Sequence, residues 1–277
     1  MKQDPQSLVN ANGESLTVGQ AIENLRQTAD TGLRYYAAWW LGRFRVAEPE
    51  AIEALVAALE DESDRAPDGG YPLRRNAARA LGKLGDRTVV PALIQCLSCD
   101  DYYVRESAAQ ALESLGDPRA ISPLRRLLAG GVTAAVTVPG KPHLVQPYNA
   151  VLEALGSLGA TDAVDEIAPF LEHEVDQVQN AATRALYQLT GDATYCDRLV
   201  QRLQEPNLQL RRSAMMDLGA IGYLPAAQPI AATLAENSLK LIALQGVLET
   251  HLRQTHFPQA GLTAEARQVL ALMDELL

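Results

Sequence analysis

The sequence predicts an all-α protein, a right-handed superhelical solenoid built from helical-hairpin repeats. One pattern of arginine, alanines, leucine and glycine recurs, strongly at residues 33–43, 73–86 and 104–117 and weakly at residues 149–160, 178–192, 210–223 and 239–250. Its aligned apolar position advances from residue 81 to 112 and from 155 to 186, steps of 31 residues. A period of this length is typical of stacked helical repeats. No segment alternates apolar and polar residues over the length of a strand.

Local signals predict where the helices begin and end. Thr17 and Gln20 have the spacing of a capping box at the first helix. Asp117 before Pro118 predicts an N-cap followed by the first helical residue. Glycines are expected where the second helix of a repeat stops, at Gly85, Gly116, Gly159, Gly191 and Gly222. Because each repeat packs on its neighbours, residues 1–277 are predicted to form one domain of about seven repeats.

Two steps between repeats are longer than the others, and each predicts an inserted loop. The extra residues fall near 60–72 and 129–147, segments rich in Gly and Pro. Insertions in a repeat protein project from one edge, where they can shape a binding site. A tolerated surface loop with no role is the alternative.

Composition limits the classes of function. The formal net charge of −10 disfavours nucleic-acid binding, which needs basic surface. We find no apolar run near the roughly 18 residues of a membrane span, and the N-terminus lacks the apolar core of a secretory signal. An odd number of cysteines, three in all, fits a reducing cytoplasm.

Motifs for catalysis are few. There is no phosphate-binding loop, nucleophile elbow or metal-type cysteine spacing, so no metal is predicted. The single His173-Glu174 pair is predicted to be a solvated helix end. Cys96 is predicted to be a small core residue, and Cys99, next to two aspartates, a poor nucleophile.

Arginines occur in two patterns with different predicted roles. Four occupy the same repeat position and predict a structural ladder that pairs with acidic turn residues: Arg34, Arg74, Arg105 and Arg211. Arg75, Arg79 and Lys83 instead form a basic stripe on one helix, where the next repeat has Glu106, Gln110 and Ser114. In an acidic protein this stripe is a candidate site for an anionic ligand, and an ordinary solvated face is the alternative.

Five of the fourteen aromatic residues (nine Tyr, three Phe and two Trp) lie between Tyr35 and Phe44. At about 100° per residue, one helical face is predicted to be core: Leu33, Ala37, Trp40, Leu41 and Phe44. Tyr35 and Trp39 point the opposite way, where other repeats carry polar residues, and Tyr36 and Arg43 flank them. This exposed group predicts contact with a planar ligand or a partner, unless the preceding helix covers it.

A second aromatic group follows one repeat later, at Tyr102 and Tyr103. Tyr71 and Tyr148 end the two inserted loops, and Asn149 follows Tyr148 on the next helix. We expect the loop that carries His143 to border the same concave surface as Tyr103.

The repeats resemble the HEAT-type repeat named after phycobilisome lyases. Residues 34–46, 101–113 and 143–160 are similar to the E-type subunits of heterodimeric phycocyanobilin lyases, bilin lyases with HEAT-like repeats. The resemblance covers nearly the whole chain, including both inserted loops. It implies a cytoplasmic cyanobacterial enzyme that works with an F-type subunit. Such a pair attaches phycocyanobilin to a cysteine of the apo-phycocyanin α subunit through a thioether bond.

With a bilin as the implied substrate, the residues singled out above become candidate site residues. Phycocyanobilin is the substrate and no cofactor is permanently bound. Residues expected to bind the bilin or the partner are Tyr35, Tyr36, Trp39, Arg43, Arg75, Arg79, Tyr102, Tyr103, Tyr148 and Asn149. Candidates for a catalytic acid are Asp101, Tyr103, Glu106 and His143. The alternatives are a non-catalytic scaffold that docks onto phycobiliproteins, and a related enzyme that isomerises or detaches the chromophore.

Overall fold

The computed structural model describes residues 16–63, 65–255, 257–258 and 261–277. The prediction made for the extreme N-terminus lies outside this part of the chain. The described residues form two compact units, which divide between Leu158 and Gly159. A single domain therefore stays a prediction. Within the described ranges the structure is helical, and the one β-bridge in them joins Thr137 and Leu144.

The first unit consists of helical hairpins and one short loop helix. Its helices are α1 (Val18–Arg26), α2 (Thr31–Arg43), α3 (Pro49–Ala58), α4 (Pro72–Leu84), α5 (Val90–Cys96), α6 (Tyr102–Leu115), α7 (Ile121–Arg126), α8 (Gly131–Ala134) and α9 (Tyr148–Ser157). α1, α3, α5 and α7 pack on α2, α4, α6 and α9, and the second helices of successive hairpins stack on one another. The inserted loops run between α3 and α4 and between α7 and α9.

The second unit repeats the arrangement. Its helices are α10 (Val164–Ile167), α11 (Asp176–Thr190), α12 (Ala193–Arg202), α13 (Leu208–Ile221), α14 (Ala227–Ala232), α15 (Asn237–Gln254) and α16 (Ala264–Asp274). α11, α13 and α15 form its stack of second helices. In the part of the chain that the structure describes, no helix has the length and apolar character needed to cross a bilayer.

The predicted helix signals are confirmed. Thr17 and Gln20 form the capping box of α1. Asp117 caps a 3₁₀ turn that begins at Pro118 and leads into α7. The predicted glycines adopt left-handed backbone conformations at or just after helix ends. α2 and α4 approach closely because of small residues: a Cβ atom on Gly42 would lie 2.7 Å from the Cα of Ala80.

The core follows the repeat alignment, except that Leu33 is exposed and Phe44 is only partly buried. The aligned apolar residues of the first three repeats are fully buried: Ala37, Leu41, Ala77, Leu81, Ala108 and Leu112. The prediction that Leu33 is core is wrong, since its side chain is 41% exposed. Its counterparts Leu73 and Val104 are covered by preceding repeats, whereas only α1 precedes α2 among the described residues.

The arginine ladder exists, but its partners are mostly carbonyl oxygens. Arg34 pairs with Asp61 at 2.6 Å, as predicted. Arg105 instead donates to the carbonyl oxygens of Cys99 and Val145 at 2.6 and 2.8 Å, and Arg211 to those of Glu205 and Leu234. The acidic partners predicted for these two arginines are therefore wrong. The carbonyls of Cys99, Glu205 and Leu234 lie just beyond helix C-termini, where carbonyl groups lack helical partners and carry partial negative charge that attracts the guanidinium groups.

Candidate functional site

The two inserted loops of the first unit meet over the N-terminal ends of α4 and α6. They enclose a cavity of about 290 Å³ that we call the loop pocket. Its lining consists of Asp68, Gly69, Gly70, Arg75, Asp100, Asp101, Tyr102, Tyr103, Arg105, Val138, Lys141, His143 and Val145. The pocket brings together residues that lie in different repeats and loops of the sequence. It also includes Asp68 and Lys141, whose only sequence signal was their position in Gly- and Pro-rich insertions.

Aromatic rings form one wall of the loop pocket. The His143 ring stacks on Tyr102, with centroids 4.3 Å apart, and meets the edge of Tyr103 at 5.8 Å. The Nδ1 atom of His143 lies 2.9 Å from the carbonyl oxygen of Leu144, which orients the imidazole. Burial raises the pKa of Tyr102 to about 12, so its phenol is neutral near pH 7. The expectation that this loop borders Tyr103 agrees with the structure.

Asp101 connects the end of the first inserted loop, α4 and α6 through hydrogen bonds at the loop pocket. One of its carboxylate oxygens accepts hydrogen bonds from the backbone N–H of Tyr71 at 2.7 Å and from Nε of Arg75 at 2.8 Å. The other oxygen accepts from the N–H of Tyr103 at 2.8 Å and caps α6. Burial raises the pKa of Asp101, but these hydrogen bonds and the Arg75 charge outweigh it and leave the pKa below its usual range. A carboxylate held in this way is a poor proton donor, so we assign Asp101 a structural role.

Glu106 has the opposite electrostatic character. It lies one turn beyond the start of α6 and is partly buried. Burial raises the pKa of its carboxyl group, against the opposing charges of Arg79, Arg75 and His143. A carboxyl group with a raised pKa retains its proton more readily, which suits a general acid.

The residues of the basic stripe differ in pairing and exposure. Arg75 pairs with Asp101 at 2.7 Å and lies 4.6 Å above the Tyr103 ring, so it is not a free cation. Arg79 and Lys83 are exposed. A second, smaller cavity of about 120 Å³ shares Arg75 and Tyr103 with the loop pocket and is also lined by Arg79 and Tyr35.

The aromatic shelf, which we define as Tyr35, Tyr36 and Trp39, lies beside this second cavity on α2. Trp39 is 39% exposed and Tyr35 44%, while Trp40 is fully buried. The predicted division of the two tryptophans is therefore confirmed, and α1 does not cover the shelf. The rings of Tyr36 and Trp39 stack at 5.5 Å. Arg43 is exposed one turn further along the helix.

Two sequence predictions about surface residues are wrong. Tyr148 was expected to contact the bilin or partner, but its side chain is 1% exposed and belongs to the core. It begins α9, which packs on α6 and α7, while the following Asn149 stays partly exposed. His173 was expected to be solvated, yet it is buried and its Nδ1 accepts a hydrogen bond from the N–H of Val175.

These features place the chain in a broad structural class. The stacked hairpins and the pocket under two insertions are those of a helical-repeat binding protein. Models of HEAT repeats match residues 65–136 and 147–219, and a model of the PBS lyase HEAT-like repeat matches residues 33–61.

The sequence relatives match this chain over nearly its full length. The phycocyanobilin lyase subunit alpha of Synechocystis sp. (strain ATCC 27184 / PCC 6803 / Kazusa) is 64% identical over 262 residues, which cover 94% of this chain and 96% of that protein. Its counterpart in Picosynechococcus sp. (strain ATCC 27264 / PCC 7002 / PR-6) is 61% identical over 264 residues, covering 95% and 97%. The chain therefore belongs to the family of phycocyanobilin lyase alpha subunits, which confirms the resemblance drawn from the sequence.

A solved structure gives the same assignment. The chain is similar to one in the complex of CpcE and CpcF of phycocyanin lyase from Nostoc sp. PCC7120, with 57% identity and a TM-score of 0.88. The match covers 99% of this chain and 100% of that one. The predicted all-α fold of HEAT-like repeats is confirmed.

Proposed function

We propose that this chain is one subunit of a heterodimeric phycocyanobilin lyase. With an F-type helical-repeat subunit, in the cytoplasm, it attaches phycocyanobilin through a thioether bond to a cysteine of the phycocyanin α subunit. The observation that carries the proposal is the match of nearly the whole chain to a chain of the CpcE–CpcF complex. Phycocyanobilin is then a substrate, and the addition itself needs no resident cofactor.

The attachment reaction is an addition. The thiolate sulfur of the acceptor forms a bond to the ethylidene carbon of the bilin, the π electrons of the ethylidene double bond move into the pigment, and the pigment takes up one proton. No group leaves and no oxidant is needed. Glu106 and His143 are the candidates to deliver the proton, because the raised pKa of Glu106 favours its protonated form and His143 lies on the pocket wall.

The pocket suits a flat pigment with two propionates. The rings of Tyr102, Tyr103 and His143 offer stacking surfaces. Lys141 in the loop pocket and Arg79 in the smaller neighbouring cavity supply cations for the two carboxylates. Arg75 contributes indirectly, because its pairing with Asp101 holds the Tyr103 ring beneath it.

The test is covalent pigment attachment. The chain is produced together with an F-type subunit, the apo-phycocyanin α subunit and a supply of phycocyanobilin. We expect a coloured α subunit in a denaturing gel and none with an acceptor that lacks its attachment cysteine. An uncoloured acceptor, with both lyase subunits folded and associated, would contradict the lyase and favour a non-catalytic scaffold.

Removing the exposed cations of the basic stripe is expected to slow attachment. For Arg79→Ala combined with Lys83→Ala we expect a roughly tenfold lower rate at low salt, since local positive charge attracts an anionic substrate. The difference in attachment rate between the wild type and this double variant should shrink as salt shortens the Debye length to about 3 Å near 1 M. Rates are measured by pigment fluorescence across a salt series. Arg253→Ala with Arg267→Ala removes equal charge from exposed sites in the second unit and is the control. Equal rates in both double variants at low salt would refute a role for the stripe.

Truncating the shelf is expected to affect function and not folding. Trp39→Ala should change the free energy of unfolding by only about 0.5 kcal/mol, as is usual for surface positions. We expect it to weaken either heterodimer formation, measured by light scattering, or attachment by the preformed heterodimer. Ile242→Ala, at a residue 50% exposed in the second unit, is the matched control. If Trp39→Ala forms the heterodimer and attaches pigment as the wild type does, the shelf is not part of the site.

A further inference from the structure

Cys96 and Cys99 lie on the same side of a tight turn. The N–H of Cys99 donates to the carbonyl oxygen of Cys96 at 3.1 Å, and Ser98 bonds in the same i to i−3 way to Gln95 at 3.0 Å. In such a 3₁₀ segment, residues three apart eclipse each other and rise about 6 Å. That separation is within the range of about 4.4–6.8 Å that a disulfide spans between Cα atoms. Both cysteines also line one cavity of about 400 Å³.

The surroundings of Cys99 differ from what its sequence neighbours suggest. The prediction of a poor nucleophile rested on Asp100 and Asp101, but the Asp101 carboxylate is directed to Arg75. Arg74 instead places Nη1 at 3.9 Å from the Cys99 sulfur. A sulfur that carries negative charge during disulfide exchange thus has a cation beside it. Cys96 is buried, and burial raises the pKa of its thiol to about 12, so Cys99 is the sulfur that meets an oxidant first.

The turn is tied to both inserted loops. Arg74 donates to the carbonyl oxygens of Glu60 and Asp61 in the first loop at 3.1 and 2.7 Å. Arg105 joins the Cys99 carbonyl oxygen to that of Val145 in the second loop. One ladder arginine therefore connects Cys99 to each loop, and a shift of this turn displaces the anchors of both.

We propose that Cys96 and Cys99 are a thiol modification site that closes into a reversible intramolecular disulfide and thereby loosens the two loops over the loop pocket. The oxidant is a low-molecular-weight disulfide such as glutathione disulfide. The Cys99 thiolate attacks it and releases one thiol, and Cys96 then displaces the second thiol as the protein disulfide forms. Two protein thiols are oxidised, one disulfide is reduced to two thiols, and the two protons end on the released thiols.

The disulfide is tested by counting thiols. The purified full-length chain is incubated with glutathione disulfide, denatured and alkylated. We expect the alkylated thiols to fall from three to one, and the tryptic peptide of residues 88–105, which contains both cysteines, to lose the mass of two hydrogen atoms. Cys196→Ala, at a buried cysteine in the second unit, should form the same disulfide, and Cys99→Ser should form none. Three alkylated thiols in the treated protein, or glutathione held on Cys99 alone, would overturn the proposal.

The effect on the loops is tested on the same samples. Oxidation should speed amide hydrogen exchange in residues 129–147, and dithiothreitol should reverse the change. A disulfide that forms without changing this exchange would refute the coupling. The predicted consequence, slower attachment by the oxidised heterodimer, rests on the proposed function. Failure of the reduced heterodimer to attach pigment would count against that function alone, because neither the thiol count nor the exchange rate depends on it.

Discussion

Replacing Trp40 with alanine is expected to lower the free energy of unfolding by about 3–5 kcal/mol, the usual cost of truncating a buried aromatic residue. The side chain is fully buried, and its ring centroid lies 4.8 Å from that of Phe44. Ala37, one helical turn before Trp40 on the same face, is small and cannot extend into the space left by an indole. Since native proteins are stable by only about 5–15 kcal/mol, this loss is large. Urea unfolding followed by circular dichroism measures it.

Two controls separate burial from aromatic character. Trp40→Phe keeps a ring and removes an indole N–H that finds no acceptor among the described residues, so it should cost clearly less than Trp40→Ala. Trp39→Ala removes the same side chain from an exposed position one residue away. A larger loss for Trp39→Ala than for Trp40→Ala would reverse the assignment of core and shelf.

Replacing Asp101 with asparagine is expected to cost about 1.5–3 kcal/mol, the range for hydrogen bonds to a charged group. The carboxylate joins Tyr71 at the end of the first loop, Arg75 on α4 and the start of α6. Asparagine is nearly the same size but leaves the guanidinium without its counter-charge. We also expect attachment to fall, because the Tyr103 ring loses the arginine held above it.

The loss of folding stability in Asp101→Asn should depend on pH in a defined direction. The pKa of Asp101 is lowered in the folded protein, so its stabilisation is present above the unfolded value of about 3.9 and is lost as pH falls through the folded value. The difference between wild type and Asp101→Asn should therefore be full at neutral pH and shrink below about pH 5. Asp86→Asn is the control for the size of the loss at neutral pH, since Asp86 caps a 3₁₀ turn and asparagine caps about as well. A difference that grows on acidification would contradict the role of the Asp101 carboxylate.

The repeat architecture and much of its surface could be predicted from sequence, because they depend on local features. The spacing of Ala37, Leu41 and their counterparts, the caps and the glycines all act within one or two helical turns, and helical geometry brings residues three or four apart onto one face. The same periodicity separated Trp39 from Trp40 without any knowledge of the neighbouring helices.

The long-range partners of these residues depend instead on how the helices and loops pack. Arg75 bonds to a carboxylate 26 positions away, and Arg105 to a side chain 41 positions away. Tyr148 is buried because α9 packs on earlier helices, although its loop position suggested exposure. Helical periodicity carries no information about how a loop folds back over the stack. The candidate site therefore exists only because packing brings the two insertions together over Tyr103.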